Sequence, residues 1–176
     1  MTTYLLGLQR IMKGKLITAL VAAVLAGAAF IIFTHKQMAP EVRFMTLAGE
    51  SIMTSQLRGK VVLVNFWATT CSVCLREMPR LIATHRRFDG ERFETIAVAM
   101  EYDPPNRVKA YADAKALPFK VALDAGGLVA KAFGDVRATP TTYLINKRGE
   151  IVRKYLGEPD FAALRAVVLE LLAETG

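Results

Sequence analysis

The sequence predicts an α/β fold, a central mixed sheet flanked by helices and carrying an N-terminal hairpin, preceded by one transmembrane helix. Three observations point there. Leu16 to Phe33 is an 18-residue run without a charge. Val61 to Trp67 is continuously apolar, and a helical pattern and a second apolar run, Phe93 to Met100, follow it. Two further strand-like runs, Thr141 to Ile145 and Ile151 to Tyr155, then lead into a last segment of helical period. A strand-helix-strand half implies parallel neighbours joined by a right-handed crossover, and a strand-strand-helix half adds antiparallel ones.

Residues 1–15 read as a cytoplasmic segment and 16–33 as the membrane span, because 18 apolar residues at about 1.5 Å each cross most of a ~30 Å hydrocarbon layer. Arg10, Lys13 and Lys15 precede the span, which favours an inside N-terminus, while Lys36 and Arg43 make the bias mild. Ala26-Gly27-Ala28 resembles a signal-peptide cleavage site, but cleavage there would leave Ala29 to Phe33 as a greasy terminus. An uncleaved signal anchor is the expectation. Either way the domain is exported, to the periplasm or the outside of the cell.

The net charge of +7 does not predict a nucleic-acid partner. Residues 1–40 hold Arg10, Lys13, Lys15 and Lys36 and no acid, leaving 19 basic against 16 acidic residues in the rest. Most of the excess is a topology signal, and Arg76, Arg80, Arg86 and Arg87 read as a solvated helix face.

A linker, 34–41, leads into the domain at 42–176. Val42 to Ile52 alternates around Ala48-Gly49-Glu50 as a hairpin. Gly59-Lys60 opens the strand Val61 to Trp67, whose unbroken apolar run places it at the sheet centre with both faces covered. A helix follows over Ser72 to Arg87. The strand Phe93 to Met100 ends before the turn Asp103-Pro104-Pro105, and Asn106 to Ala116 reads as a helix. Phe119 to Leu123 is a short strand and Gly127 to Phe133 a short helix. Asn146 to Glu150, with Gly149, suits a hairpin loop. Phe161, Leu164, Val167, Val168, Leu171 and Leu172 recur at helical spacing, with Pro159 or Asp160 at the helix start.

Cys71 and Cys74 are the only cysteines, and they stand at the junction of the central strand and its helix. Thiols at i and i+3 on a first helical turn are close enough to form a small disulfide ring. The unsatisfied N–H groups and the positive end of the helix favour a thiolate there, the species that attacks disulfides. Three other uses of the pair can be weighed. Two buried cysteines can serve as small hydrophobes. Structural zinc needs four ligands, and His35 and His85 make no ligand motif with this single pair. Two thiolates could take Cu(I), which keeps a copper chaperone for oxidase assembly as the alternative function.

Gly59-Lys60-Val61-Val62-Leu63-Val64-Asn65-Phe66-Trp67-Ala68-Thr69 before the CxxC, together with Ala138-Thr139-Pro140-Thr141-Thr142-Tyr143-Leu144-Ile145, resembles the thioredoxin superfamily. The resemblance is closer to its membrane-anchored TlpA/ResA-like branch of exported thiol:disulfide oxidoreductases, and it covers about Val42 to Ala173. It implies a thioredoxin-like fold with a redox-active Cys71–Cys74 disulfide, Cys71 attacking and Cys74 resolving the mixed disulfide. Pro140 would face the dithiol in the cis form, and Trp67, Thr139 and Pro140 would bind substrate. Glu77 matches an acidic residue near the dithiol in this branch. Buried beside Cys74, it would exchange that thiol's proton with a raised pKa; the competing role is a surface glutamate near a helix start.

Three positions depart from the family pattern. Asn65 stands where thioredoxin itself has a buried aspartate, Thr70 where a tryptophan commonly precedes the first cysteine, and Val73 where a proline is frequent. The resemblance also raises a role in cytochrome c maturation, although members serving it usually carry a Gly-Ala-Pro-Glu-like loop, unlike Ala138-Thr139-Pro140-Thr141. A Sco-like copper chaperone would offer CxxxC and a distant histidine, whereas His85 reads as a surface residue. The implied partners are client proteins with disulfides and a membrane electron donor. A monomer is expected, with no cofactor, no metal and no nucleic acid.

Overall fold

The computed structural model describes residues 37–175, so the expected cytoplasmic segment and membrane span, and the first linker residues, lie outside the described residues. Among the described residues no helix is long and apolar enough to cross a membrane. The strands are β1 (Arg43–Thr46), β2 (Ser51–Met53), β3 (Val61–Trp67), β4 (Phe93–Ala99), β5 (Lys120–Leu123), β6 (Thr141–Ile145) and β7 (Ile151–Leu156). The helices are α1 (Ser72–Arg87), α2 (Pro105–Lys115), α3 (Leu128–Ala132) and α4 (Phe161–Ala173).

The seven strands among the described residues form one sheet, in the order β2-β1-β5-β4-β3-β6-β7. The apolar run of β3 lies near its centre, parallel to β4 and antiparallel to β6, with every residue buried. Alternation along the strand divides its side chains between two cores. Val62, Val64 and Phe66 pack with Phe44, Phe133 and Tyr143 on one face. Val61, Leu63 and Trp67 pack with Met78, Leu81, Leu164 and Val168 on the other. Each such side chain contributes roughly 1.5–3 kcal/mol when fully buried. Asn65 falls on the second face, the one polar break in that apolar series and directly opposite Thr142 of β6.

The predicted N-terminal hairpin is present, closed by Gly49 at φ 80, and its β1 docks antiparallel on β5. β5 in turn runs parallel to β4. Boundaries move slightly where local chemistry decides them. α2 begins at Pro105, whose fixed φ suits a first helical turn, and α4 is capped by Asp160, which accepts from the Ala162 and Ala163 N–H groups at 2.8 and 3.2 Å. Residues 37–39 pair with the β6–β7 turn, the Gln37 carbonyl accepting from Ile151 N–H and Ala39 N–H donating to the Gly149 carbonyl. That turn is level with the start of β3, so the chain enters the domain at the end of the sheet opposite the cysteines.

Candidate active site

Cys71 is the N-cap of α1, with extended backbone at φ −90 and ψ 105. Its sulfur accepts the Cys74 N–H at 3.1 Å, so one of the unpaired donors of the first turn is aimed at it. The two cysteines are disulfide-bonded, with Cα atoms 5.3 Å apart. They are unequal in access. Cys71 is half-buried at the surface, whereas Cys74, one turn inward, is fully buried. An attacking sulfur must be reachable and a resolving one need reach only its partner, so the geometry suits Cys71 to the first role and Cys74 to the second.

Thr139–Pro140 is cis. The Thr139 carbonyl oxygen lies 3.5 Å from the Cys71 sulfur, and the Thr139 hydroxyl is 3.5 Å from that of Tyr102, an exposed side chain. The loop is fixed from two sides. Gly157 N–H donates to the Pro140 carbonyl at 2.8 Å, and the Thr141 hydroxyl donates to the Ala138 carbonyl at 2.7 Å. Pro140 itself is buried, so the half-buried Thr139 is what this loop presents beside the sulfur. Trp67, expected to touch substrate, is fully buried instead. Its ring packs 5.3 Å from that of Tyr111, and as an inward position of β3 it supports the site from beneath.

Glu77 is 1% exposed, three residues beyond Cys74 and so on the same inward face of α1. Its Oε1 accepts from Asn65 Nδ2 at 3.0 Å, and the same nitrogen donates to Thr142 Oγ1 at 2.9 Å. Burial pushes the Glu77 pKa up to about 7, against smaller opposing effects from the Asn65 bond and the Arg80 charge. Glu77 is therefore a buried carboxyl that titrates near neutrality, which the surface-glutamate alternative does not allow.

The sequence marks Asp103 only as a turn residue. It is 3% exposed, and its carboxylate accepts both the Thr69 N–H at 2.5 Å and the Thr69 hydroxyl at 2.6 Å. It thereby ties the turn before Cys71 to the end of β4. The available signal was an acid immediately before Pro104-Pro105 at the C-terminal end of an apolar strand, where loops carry function. His85 also differs from expectation. It is buried against Phe93 and Phe119, with Nδ1 3.1 Å from the Thr95 hydroxyl. Eleven residues beyond Cys74 on one helix, about 16 Å along its axis, it is out of reach of a metal held by the thiols. Among the described residues no group of three or more His, Cys, Asp or Glu is arranged to hold a metal.

The family model described as Redoxin matches residues 34–168. The chain belongs to the Redoxin family. This redoxin is 40% identical over 111 residues to the thiol-disulfide oxidoreductase ResA of Halalkalibacterium halodurans, a match covering 63% of the chain and 62% of that relative. It is 33% identical to ResA of Bacillus thuringiensis, with 68% of each chain covered. A solution structure described as a candidate thioredoxin from Neisseria meningitidis superposes with a TM-score of 0.74 at 37% identity, over 80% of this chain and 93% of that one. A thioredoxin-family thiol:disulfide interchange protein from Chlorobium tepidum, at 23% identity and a TM-score of 0.72, shares the fold, with 80% and 99% covered. The thioredoxin-like fold and the TlpA/ResA-like resemblance both stand. With its paired cysteines bonded across the start of α1, this redoxin is a thioredoxin-like thiol:disulfide oxidoreductase.

Proposed function

We propose that this redoxin is a membrane-tethered reductant of disulfides in exported proteins. The observation that carries the reading is the half-buried, surface-reaching Cys71 at a helix N-cap, beside the cis Thr139–Pro140 loop and backed by the fully buried Cys74. In the reduced enzyme the Cys71 thiolate attacks a client disulfide. A mixed disulfide forms, and one client sulfur leaves as a thiolate and takes a proton. Thr139 offers its backbone to the client chain, as an added strand would use it. The Glu77 carboxylate takes the Cys74 proton, the Cys74 thiolate attacks the Cys71 sulfur, and the second client thiolate leaves. The client gains two electrons, and the Cys71–Cys74 disulfide holds the oxidation. A membrane donor bearing a dithiol resets it, itself becoming a disulfide.

The uncharged run Leu16–Phe33 behind Arg10, Lys13 and Lys15 supports a single crossing with the domain outside the cytoplasm. Protease treatment of intact spheroplasts then digests the domain. A protected domain would refute that topology. Reduction as the net direction is carried by the family resemblance alone; the ResA relatives are described as thiol-disulfide oxidoreductases.

The chemistry is tested by Cys74→Ser in the native membrane, which leaves the mixed disulfide unresolved. Clients accumulate on Cys71 and are released by reductant, whereas no Cys71-dependent adduct would sink the reading. Apocytochrome c in the trap would assign the maturation role. For Glu77, the Glu77→Gln variant shifts the pH dependence of Cys74 alkylation in the reduced enzyme, and an unchanged profile would exclude the proton transfer.

A further inference from the structure

Two polar atoms beneath the dithiol are buried without a hydrogen-bond partner, Asn65 Oδ1 and Glu77 Oε2. They belong to the two groups already joined by the Asn65 Nδ2–H bond to Glu77 Oε1. Both are acceptors, so neither can satisfy the other unless a proton is added. A primary amide and a carboxylic acid satisfy each other completely as a cyclic pair, one N–H donated to the carboxyl and one O–H returned to the amide oxygen. The bond present is one half of such a pair. The two orphans are the atoms that the other half would join once a proton is added.

We propose that Asn65 is a positioning residue that holds Glu77 in both protonation states, Nδ2–H bonding the carboxylate and Oδ1 accepting the proton that Oε2 carries. Thr142 Oγ1 takes the remaining Nδ2 hydrogen and keeps the amide from turning. The proton carrier therefore keeps its place whether loaded or empty, and closing the second bond favours the loaded form. Burial is the main influence on this balance, and few charged groups stand beside the pair. On α1 the other groups are Cys74 and the Arg80 charge, and Arg80 is itself paired with Glu158. From β7, Tyr155 stands opposite Thr142 and is held neutral by burial, while β3 contributes no titratable side chain. The catalytic consequence rests on Glu77 carrying the Cys74 proton, but the pairing itself does not.

Asparagine occurs only at 65, 106 and 146, so the oxidised full-length chain in detergent micelles can be labelled with 13C,15N-asparagine and its side-chain amides resolved. The Asn65 Cγ signal should titrate with a midpoint at about 7, the value of Glu77. Glu77→Gln should lock it at its acid-limb position, because the glutamine N–H supplies the missing bond at every pH. A Cγ signal flat across the Glu77 titration, or locked at the alkaline position in Glu77→Gln, overturns the pairing. Asn65→Asp puts a second carboxyl in the site and should raise the midpoint of Cys74 alkylation by about one pH unit or more. An unmoved midpoint refutes the positioning role. Failure of the proton-transfer reading looks different: the wild-type Cγ signal still titrates, and only Glu77→Gln alkylation is unchanged.

Discussion

Glu77 makes a prediction about stability that is separate from catalysis, and its sign is opposite to that of most carboxylates. The folded pKa of about 7 lies above the ordinary value of 4.5, so between these limits the folded protein keeps a proton that the unfolded chain has released. Unfolding free energy must then fall as pH rises through that window. The contribution is fully present below about 4.5 and gone above about 7. At about 1.36 kcal/mol per pH unit, the window amounts to about 3 kcal/mol. Glu77→Gln has the same shape and does not titrate. In guanidinium unfolding of the oxidised chain, its stability relative to the wild type should grow by about 3 kcal/mol from the acid to the alkaline side of the window. In thermal melts that is roughly 6–12 °C. Every other titrating group contributes equally to both proteins and cancels in the difference. A difference that stays flat with pH, or shrinks as pH rises, would refute the burial argument.

Asp103→Ala leaves the half-buried Thr69 N–H without its acceptor. It should cost about 1–3 kcal/mol in denaturant unfolding and alter the rate of Cys71 alkylation, with Asp103→Asn recovering part of both because one acceptor oxygen remains. Loss of stability with unaltered Cys71 alkylation would reduce Asp103 to a purely structural residue. His85 titrates in the other direction from Glu77. Burial lowers its pKa below 6.5, so the neutral ring stabilises the fold above that value and the contribution is lost on acidification. His85→Phe should lessen the acid sensitivity of the melting temperature, and an unchanged acid limb would contradict it.

What was legible in the sequence was local. The CxxC at a strand end and the unbroken apolar run of β3 each declare themselves within a few residues, because a helix start and a buried strand leave local patterns, whereas the cis form of Pro140 rests on the family resemblance. The polar assembly around Glu77 is not local. Asn65 meets Thr142 through the register of β3 on β6, across 77 positions of sequence, and a shift of one residue would turn each to the opposite face. Asp103 meets Thr69 only because β4 runs parallel to β3 and ends beside it. Trp67 and His85 were misplaced for a related reason: a ring at the end of a strand or on a helix face gives no sign in sequence of whether another element covers it. Tyr111 and Phe119 cover them here.

The replacement of a buried aspartate by Asn65 has a physical consequence that sequence comparison alone does not give. An aspartate there would face Glu77 with a second carboxyl, and two carboxyls in one buried site cannot both ionise near neutrality. One proton would then be shared, and the pair would titrate in two coupled steps. The amide removes that coupling. It leaves a single carboxyl whose charge is set by burial and whose position is set by a neutral partner able both to donate and to accept. Two buried acceptors unpaired in the ionised state cost about 1–3 kcal/mol each. A fold optimised for stability alone would have filled this face of β3 with a leucine. The site instead keeps a destabilising carboxyl one helical turn from Cys74, where a proton must leave each time a mixed disulfide is resolved.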